Sequence, residues 1–132
     1  MAQLTLRVYY EDTDAGGIVY HANHLKYMER GRTEMLRDLG YEQDVLMAEG
    51  LAFVASEVNI KYHHPARFNE LLTVTTEIEK LRRVGILFHQ SIHNQALKLI
   101  ASADVMIASI DPNLMKPKVI PAKMKEVFQR AL

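Results

Sequence analysis

Short stretches of alternating apolar and polar residues predict most of the strands in this chain. One stretch runs from Leu4 to Tyr10, and four more follow one another after Gly50. Short turn sequences connect these four, with Asn94-Gln95 as one hairpin turn, so the strands are expected to be antiparallel neighbours. The apolar faces are Val54, Val58, Ile60 and Tyr62; Leu72, Val74 and Ile78; Val84, Ile86, Phe88 and Ile92; and Leu97, Leu99, Val105 and Ile107.

A helical period replaces this alternation after the first strand. Asn23 is expected to be the N-cap of a long helix, and Gly40 is expected to end it. Shorter helices are predicted at 42–49 and 122–132. Because the long helix must bury its apolar stripe, it is predicted to lie on one face of the sheet. The fold class is therefore α+β, with residues 1–132 forming one domain. The apolar stripe consists of Leu25, Met28, Met35, Leu36 and Leu39.

Length and charge narrow the classes of function. A chain of 132 residues has room for one full core. Sixteen basic and sixteen acidic residues cancel, which argues against nucleic acid as the main partner because phosphate binding needs a basic excess. A neutral chain with 48% hydrophobic residues favours self-association. The absence of cysteine excludes a disulfide scaffold, a thiolate metal site and a cysteine nucleophile.

The distribution of apolar residues predicts a soluble, cytoplasmic protein. Residues 1–7 lack the apolar core of a signal peptide. No segment approaches the ~18 consecutive apolar residues of a membrane span.

Candidate chemistry is concentrated in the acidic turn between the first strand and the long helix. Asp14, the pair Gly16-Gly17 and His21 supply a carboxylate, flexible backbone N–H groups and an imidazole. An acyl-transfer site needs these parts. Aspartate and glycine also serve simply to bend a chain, and Asp12 in particular is interpreted as a turn residue.

The turn and its flanks resemble a known enzyme family. The sequence Tyr-Glu-Asp-Thr-Asp-Ala-Gly-Gly-Ile-Val-Tyr-His-Ala-Asn at 10–23 is similar to the signature of the 4-hydroxybenzoyl-CoA thioesterase family, and most closely to its YbgC-like branch of acyl-CoA thioesterases. That branch is associated in bacteria with the Tol–Pal envelope system. The similarity continues through Asn59-Ile60-Lys61-Tyr62 and Pro65-Ala66-Arg67. It implies the hotdog fold, an antiparallel five-stranded sheet wrapped around a long central helix.

The resemblance also implies an activity and a site. Asp14 corresponds to the family's catalytic aspartate, as nucleophile or general base, and His21 to its assisting histidine. Backbone N–H groups at the helix start, around Val19 to Ala22, are expected to stabilise the oxyanion, with Gly17, Val19 and Tyr20 as the named candidates. Candidates for binding the acyl-CoA substrate are Asn23, Lys61, Arg67, Arg82 and Arg83.

The same family implies partners and leaves alternatives open. Coenzyme A is part of the substrate, so neither a cofactor nor a metal is expected. Homodimers or dimers of dimers (a homotetramer) are expected, with sites that cross subunit interfaces, and acyl carrier protein is a further potential partner. One alternative is a hotdog hydratase or dehydratase that pairs His21 with a carboxylate such as Glu29. Another is a non-catalytic acyl-carrier-binding scaffold. Acyl chain length remains open.

Overall fold

Ten elements form the chain in the computed structural model, which describes residues 1–132. The order is a strand, a one-turn 3-10 helix, two α-helices, five strands and a terminal helix. Their bounds are β1 (Ala2–Arg7), the 3-10 turn (Tyr10–Asp12), α1 (Asn23–Asp38), α2 (Gln43–Ala48), β2 (Ala52–Tyr62), β3 (Leu71–Arg82), β4 (Gly85–Asn94), β5 (Leu99–Asp111), β6 (Lys116–Pro117) and α3 (Ala122–Arg130). The predicted α+β class is confirmed.

The sheet order is β1-β3-β4-β5-β2, with the short β6 beside β5, and all pairs are antiparallel. The expectation that β2 and β3 are neighbours is wrong, because β2 pairs with β5 at the opposite side of the sheet. The connection at 63–70 is too long for a tight hairpin. At ~3.3 Å per extended residue it has the length to cross the roughly 15–20 Å between these strands. As β2 ends, the amides of His63 and His64 still donate to the Ile100 carbonyl oxygen of β5.

Helix α1 packs on β1 and β3 and buries one face in the core. Gly31 permits a close approach, because a Cβ atom there would lie 2.8 Å from Thr76 Oγ1. The buried Gln90 side chain joins the layers through Nε2, which donates to the Met28 carbonyl oxygen at 2.8 Å and to Thr76 Oγ1 at 2.9 Å. Its Oε1 accepts from Arg32 at 3.0 Å. The buried apolar residues of α1 are Tyr27, Met28, Met35 and Leu36.

Two predicted element boundaries near the acidic turn are wrong. Strand β1 ends at Arg7, because the Tyr9 amide bonds to the Asp12 carboxylate and the chain enters the 3-10 turn. Asn23 is the first residue of α1 and not its N-cap, which is Ala22. The Asn23 side chain bonds to Asp12 instead of capping the helix. The predicted helix end is confirmed by Gly40, whose φ of 98° follows the last helical turn.

Strand β2 forms one edge of the sheet and leaves apolar side chains uncovered. Val54 and Val58 are each 39% exposed, and Tyr62 is 47% exposed. A cavity of about 300 Å³ opens between this strand and α1, with Glu29, Arg32, Phe53 and Phe88 in its lining. None of the helices has the length and apolar composition to cross a membrane.

Candidate active site

The turn between β1 and α1 is held in one shape by its own backbone. Thr13 and Val19 form an antiparallel bridge, and the Asp14 amide donates to the Ile18 carbonyl oxygen at 3.0 Å. The Gly17 amide donates back to the Asp14 carbonyl oxygen at 3.0 Å. Gly17 has a φ of 77°, a conformation that glycine adopts without steric cost. The glycine at this position is therefore required by the turn itself.

Asp14 lies exposed at the tip of this turn with its two carboxylate oxygens in different situations. Oδ1 accepts the Gly16 amide at 2.8 Å, which fixes the side-chain orientation. Oδ2 accepts no hydrogen bond within the chain. The carboxylate is thus oriented by one oxygen and has the other available for a substrate or a water molecule.

Asp12 joins the turn to the helix, as its interpretation as a turn residue requires. Its Oδ2 accepts the Tyr9 amide at 2.8 Å, and its Oδ1 accepts Asn23 Nδ2 at 3.2 Å. Burial and the nearby Asp12 carboxylate raise the pKa of Tyr27, whose buried hydroxyl lacks a hydrogen-bond partner. Asn23, a predicted substrate-binding residue, has its amide nitrogen bonded to Asp12 in this structure.

His21 faces a cavity of about 370 Å³ at the start of α1. Its ring lies against Tyr20, with ring centroids 4.5 Å apart, and is edge-on to Tyr62 at 6.3 Å. The side chain is exposed and makes no hydrogen bond, so it is free to meet a substrate. The cavity is lined by Ile18, Val19, His21, His24, Tyr62, His63, His64 and Pro65.

The three named backbone candidates already donate hydrogen bonds within the chain. The amides of Gly17, Val19 and Tyr20 donate to the carbonyl oxygens of Asp14, Ala66 and Asp12 respectively. The amides of His21 and Ala22 have no main-chain acceptor. Unpaired N–H groups at a helix start carry partial positive charge and bind anions. Within the expected stretch, the free backbone donors are therefore the amides of His21 and Ala22.

Two residues of this cavity, His24 and Tyr62, were not predicted as site residues. His24 is 4% exposed, and its Nδ1 lies 3.0 Å from the His21 carbonyl oxygen. A carbonyl oxygen only accepts, so Nδ1 carries the proton. Tyr62 Oη donates to the same oxygen at 2.9 Å, and its ring packs edge-on against His24 at 5.1 Å. Only folding brings the end of β2 to the start of α1, so sequence spacing could not reveal the pair.

The predicted cationic residues are not gathered at Asp14 within one chain. Arg67 is closest in the fold, because it forms a backbone bridge with Ile18 of the turn. Lys61 lines a different, smaller cavity beside Ser102 and Asp104. Arg82 is the last paired residue of β3 and Arg83 follows it, and both are exposed, while Leu71 at the start of the strand pairs with Arg7. The 12 residues of β3 span about 36 Å, so these two arginines lie at the far end of the sheet.

Other carboxylates and histidines form separate groups. Glu29 lines the cavity between α1 and β2 and not the one that contains His21, so one chain does not pair them. Glu79, His89 and Asp104 bring potential metal-ligand atoms within 4.8 Å of one another on adjacent strands. Surface carboxylates and histidines often group in this way without a metal, so this cluster carries no assignment.

Comparison with known proteins shows the sequence family of this chain. Residues 8–131 match the family model described as the thioesterase-like superfamily. The chain belongs to this family. It is 43% identical over 125 residues to the acyl-CoA thioester hydrolase YbgC of Escherichia coli O6:H1, covering 95% of this chain and 93% of that protein.

Solved structures of thioesterases share the fold. A probable thioesterase from Bartonella henselae is 37% identical with a TM-score of 0.85, over 91% of this chain and 98% of that one. The DHNA-CoA thioesterase of Staphylococcus aureus has a TM-score of 0.93 at 20% identity, over 98% of this chain and 89% of that one. The predicted resemblance to the hotdog-fold thioesterases and to YbgC is confirmed.

The burial of His24 predicts a pH dependence of stability. Burial lowers the pKa of His24 below its ordinary value of 6.5, although its hydrogen bond to the His21 carbonyl oxygen opposes this shift. The unfolded chain therefore binds a proton more readily than the folded one. The contribution of neutral His24 to the free energy of unfolding is therefore complete above pH ~6.5. It decreases as the pH falls toward the lower pKa of the folded state.

Urea unfolding between pH 5 and 7.5 measures this effect. The free energy of unfolding should decrease below pH ~6.5 in the wild type and in the control variant His93→Gln, and should decrease less in His24→Gln. Equal slopes in all three proteins would remove His24 as the cause.

Proposed function

We propose that this protein hydrolyses acyl-CoA thioesters to a carboxylic acid and free coenzyme A. One observation carries the proposal: an oriented Asp14 carboxylate with one free oxygen lies in the turn that leads to two unpaired amides at the start of α1. Membership of the thioesterase-like superfamily and 43% identity to a protein named acyl-CoA thioester hydrolase support the same reaction. The proposed location is cytoplasmic, because coenzyme A thioesters are cytoplasmic metabolites.

Asp14 could promote thioester hydrolysis by either of two mechanisms. In the first, its Oδ2 attacks the thioester carbon, the C–S bond breaks, and water hydrolyses the resulting anhydride. In the second, Asp14 accepts a proton from water as the water oxygen attacks the thioester carbon, and the C–S bond then breaks to release coenzyme A thiolate, which takes up a proton. Both routes pass through a tetrahedral oxyanion, which the amides of His21 and Ala22 would stabilise. Loss of one such donor typically costs about 100–1000-fold in rate.

His21 is proposed to act on the substrate side of the site. Its imidazole is exposed at the cavity and unbonded, so it can hydrogen-bond to the thioester or transfer a proton. Coenzyme A thiolate is a good leaving group, so strong acid assistance is not needed. Removal of His21 should therefore matter less than removal of Asp14.

Asp14→Asn tests the proposed reaction directly. The variant keeps an oxygen for the Gly16 amide but loses the negative charge, so kcat should fall by about 100-fold or more. The assay is thiol release from short, long and aromatic acyl-CoAs and from an acyl carrier protein thioester. Asp38→Asn, exposed at the end of α1, is the matched control. Absence of turnover by the folded wild type on every substrate would contradict the proposal.

We further propose that two copies pair through the β2 edge to form a homodimer, alone or within a dimer of dimers. β2 is an 11-residue strand with one edge unpaired and with Val54, Val58 and Tyr62 exposed. Soluble monomers usually protect such edges with charges, bulges or a covering element. β2 has one bulge, between Ala55 and Glu57, but still exposes Val54 and Val58 on either side of it. Pairing two β2 strands antiparallel would continue the sheet across the interface and cover the cavity beside α1.

Val58→Lys tests this interface. A lysine at the edge would resist strand pairing, so the variant should be monomeric and lose most of its activity while it stays folded. Light scattering after size-exclusion chromatography gives the mass, and circular dichroism checks folding. Val45→Lys, at a valine of α2 that is 49% exposed, is the control and should keep the wild-type mass. A dimeric Val58→Lys would contradict the proposed edge.

The proposed two-fold axis would give the distant arginines a role. It reverses the strand direction, so the end of one sheet that carries Arg82 and Arg83 would lie beside the Asp14 end of the other sheet. A coenzyme A molecule is extended enough to reach from the thioester to cations of the second copy. We therefore propose that Arg82 and Arg83 bind its phosphates across the interface, where guanidinium groups suit phosphate geometry.

A double variant, Arg82→Ala/Arg83→Ala, should raise KM for acyl-CoA by about tenfold with little change in kcat. Hydrolysis of the corresponding acyl-pantetheine thioester, which lacks the nucleotide phosphates, should be unchanged. Lys123→Ala/Arg130→Ala on α3 removes the same charge and serves as the control. An equal loss on both substrates would exclude phosphate binding as the role of these arginines.

A further inference from the structure

The carbonyl oxygen of His21 is an unusually crowded hydrogen-bond acceptor. It receives Tyr62 Oη at 2.9 Å, His24 Nδ1 at 3.0 Å and the His24 amide at 3.4 Å. Two of these donors are side chains, and one of them comes from the far end of β2. A helix start needs only the backbone amide for this carbonyl group, so the two side-chain bonds are additional.

This carbonyl group belongs to the same rigid peptide unit as the Ala22 amide, which is proposed to bind the oxyanion. The His21 C=O and the Ala22 N–H belong to one planar trans peptide group, since the chain contains no cis peptide bond. They point in opposite directions, so donors that fix the oxygen also fix the direction of the Ala22 N–H. Hydrogen bonds to a carbonyl oxygen also polarise its peptide group and strengthen the N–H as a donor.

The contacts of Tyr62 keep its hydroxyl at the His21 carbonyl oxygen. Its ring packs edge-on against the buried His24 ring at 5.1 Å, which limits the movement of both side chains. Burial raises the pKa of Tyr62, so its phenol stays protonated and remains a donor across the neutral range. The hydroxyl makes one hydrogen bond within the chain, to the His21 carbonyl oxygen.

We propose that Tyr62 is a positioning residue for oxyanion stabilisation, whose hydroxyl acts with His24 to aim and polarise the Ala22 N–H toward the thioester oxygen. Tyr62 does not touch the reacting atoms in this scheme and acts only through the peptide group between His21 and Ala22. The proposal depends on the proposed thioester hydrolysis. Because Tyr62 ends the edge strand β2, the proposed dimer interface and the oxyanion donor would share one element.

Tyr62→Phe isolates the hydroxyl, because it keeps the ring and its contact with His24. Since one hydrogen bond is lost, kcat should fall by about two- to tenfold while KM stays within about twofold. Tyr41→Phe is the matched control, since Tyr41 packs on Phe128 and its hydroxyl makes no hydrogen bond. Unchanged kcat in Tyr62→Phe would overturn the proposal.

Two inhibitors separate a positioning role from a structural one. An acyl-CoA trifluoromethyl ketone forms a tetrahedral adduct that resembles the oxyanion, whereas an S-alkyl-CoA thioether has no carbonyl group. In Tyr62→Phe the ketone should bind more weakly by the factor lost in kcat, and the thioether should bind equally well. Equal weakening of both inhibitors would assign Tyr62 to general binding or folding and overturn the proposal.

A spectroscopic measurement keeps this inference separate from the proposed reaction. In the ¹⁵N–¹H spectrum of the unliganded protein, the Ala22 amide proton should move upfield in Tyr62→Phe, since a less polarised peptide is a weaker donor. Tyr41→Phe should leave the Ala22 resonance in place. If the wild type hydrolyses no thioester, the proposed function fails. The chemical-shift change still tests the coupling, which is the effect of the Tyr62 hydroxyl on the Ala22 N–H. An unmoved resonance overturns the coupling even in an active enzyme.

Discussion

The contact of α1 with the sheet is the constraint on which the rest of the structure depends. Gly31 brings the helix backbone to Thr76, and the buried Gln90 amide donates both to the Met28 carbonyl oxygen and to Thr76 Oγ1. A side chain at position 31 would push the helix away, and an unpaired Gln90 would be costly to bury. With the helix fixed in this way, its N-terminal amides have a fixed position relative to the turn that carries Asp14.

The two aspartates of the turn differ in how many of their carboxylate oxygens are hydrogen-bonded within the chain. Asp12 uses both carboxylate oxygens to join Tyr9 to Asn23 and so attaches the turn to α1. Asp14 uses only one oxygen to hold its own orientation and keeps the other free. A hydrogen-bonded carboxylate orders the chain, whereas a reactive carboxylate must be oriented without being consumed by internal bonds. Asp12 meets the first of these needs, and Asp14 has the arrangement that its proposed reaction requires.

Strand β2 contributes both to the proposed dimer interface and to the candidate active site. Its middle exposes valines in the way expected for a paired edge, while its end places Tyr62 on the His21 carbonyl oxygen. One chain holds Asp14, His21 and the free amides, but Arg82 and Arg83 lie about 36 Å along β3 from the turn. A single subunit therefore presents the proposed reacting groups without these cations, which supports the proposal that a second copy completes the site.

The sequence by itself determined those features that depend on residues close together in the chain. Alternating and helical periods predicted the helices and most of the strands, and the 10–23 motif predicted the family and singled out Asp14 and His21. It could not determine that β2 crosses to pair with β5, because a connection of this length permits either side of the sheet. Nor could it show which amides remain free, since the acceptors for Val19 and Tyr20 are Ala66 and Asp12. Only the tertiary structure decided these features and the contact of Tyr62 with His21, because each depends on where distant segments meet.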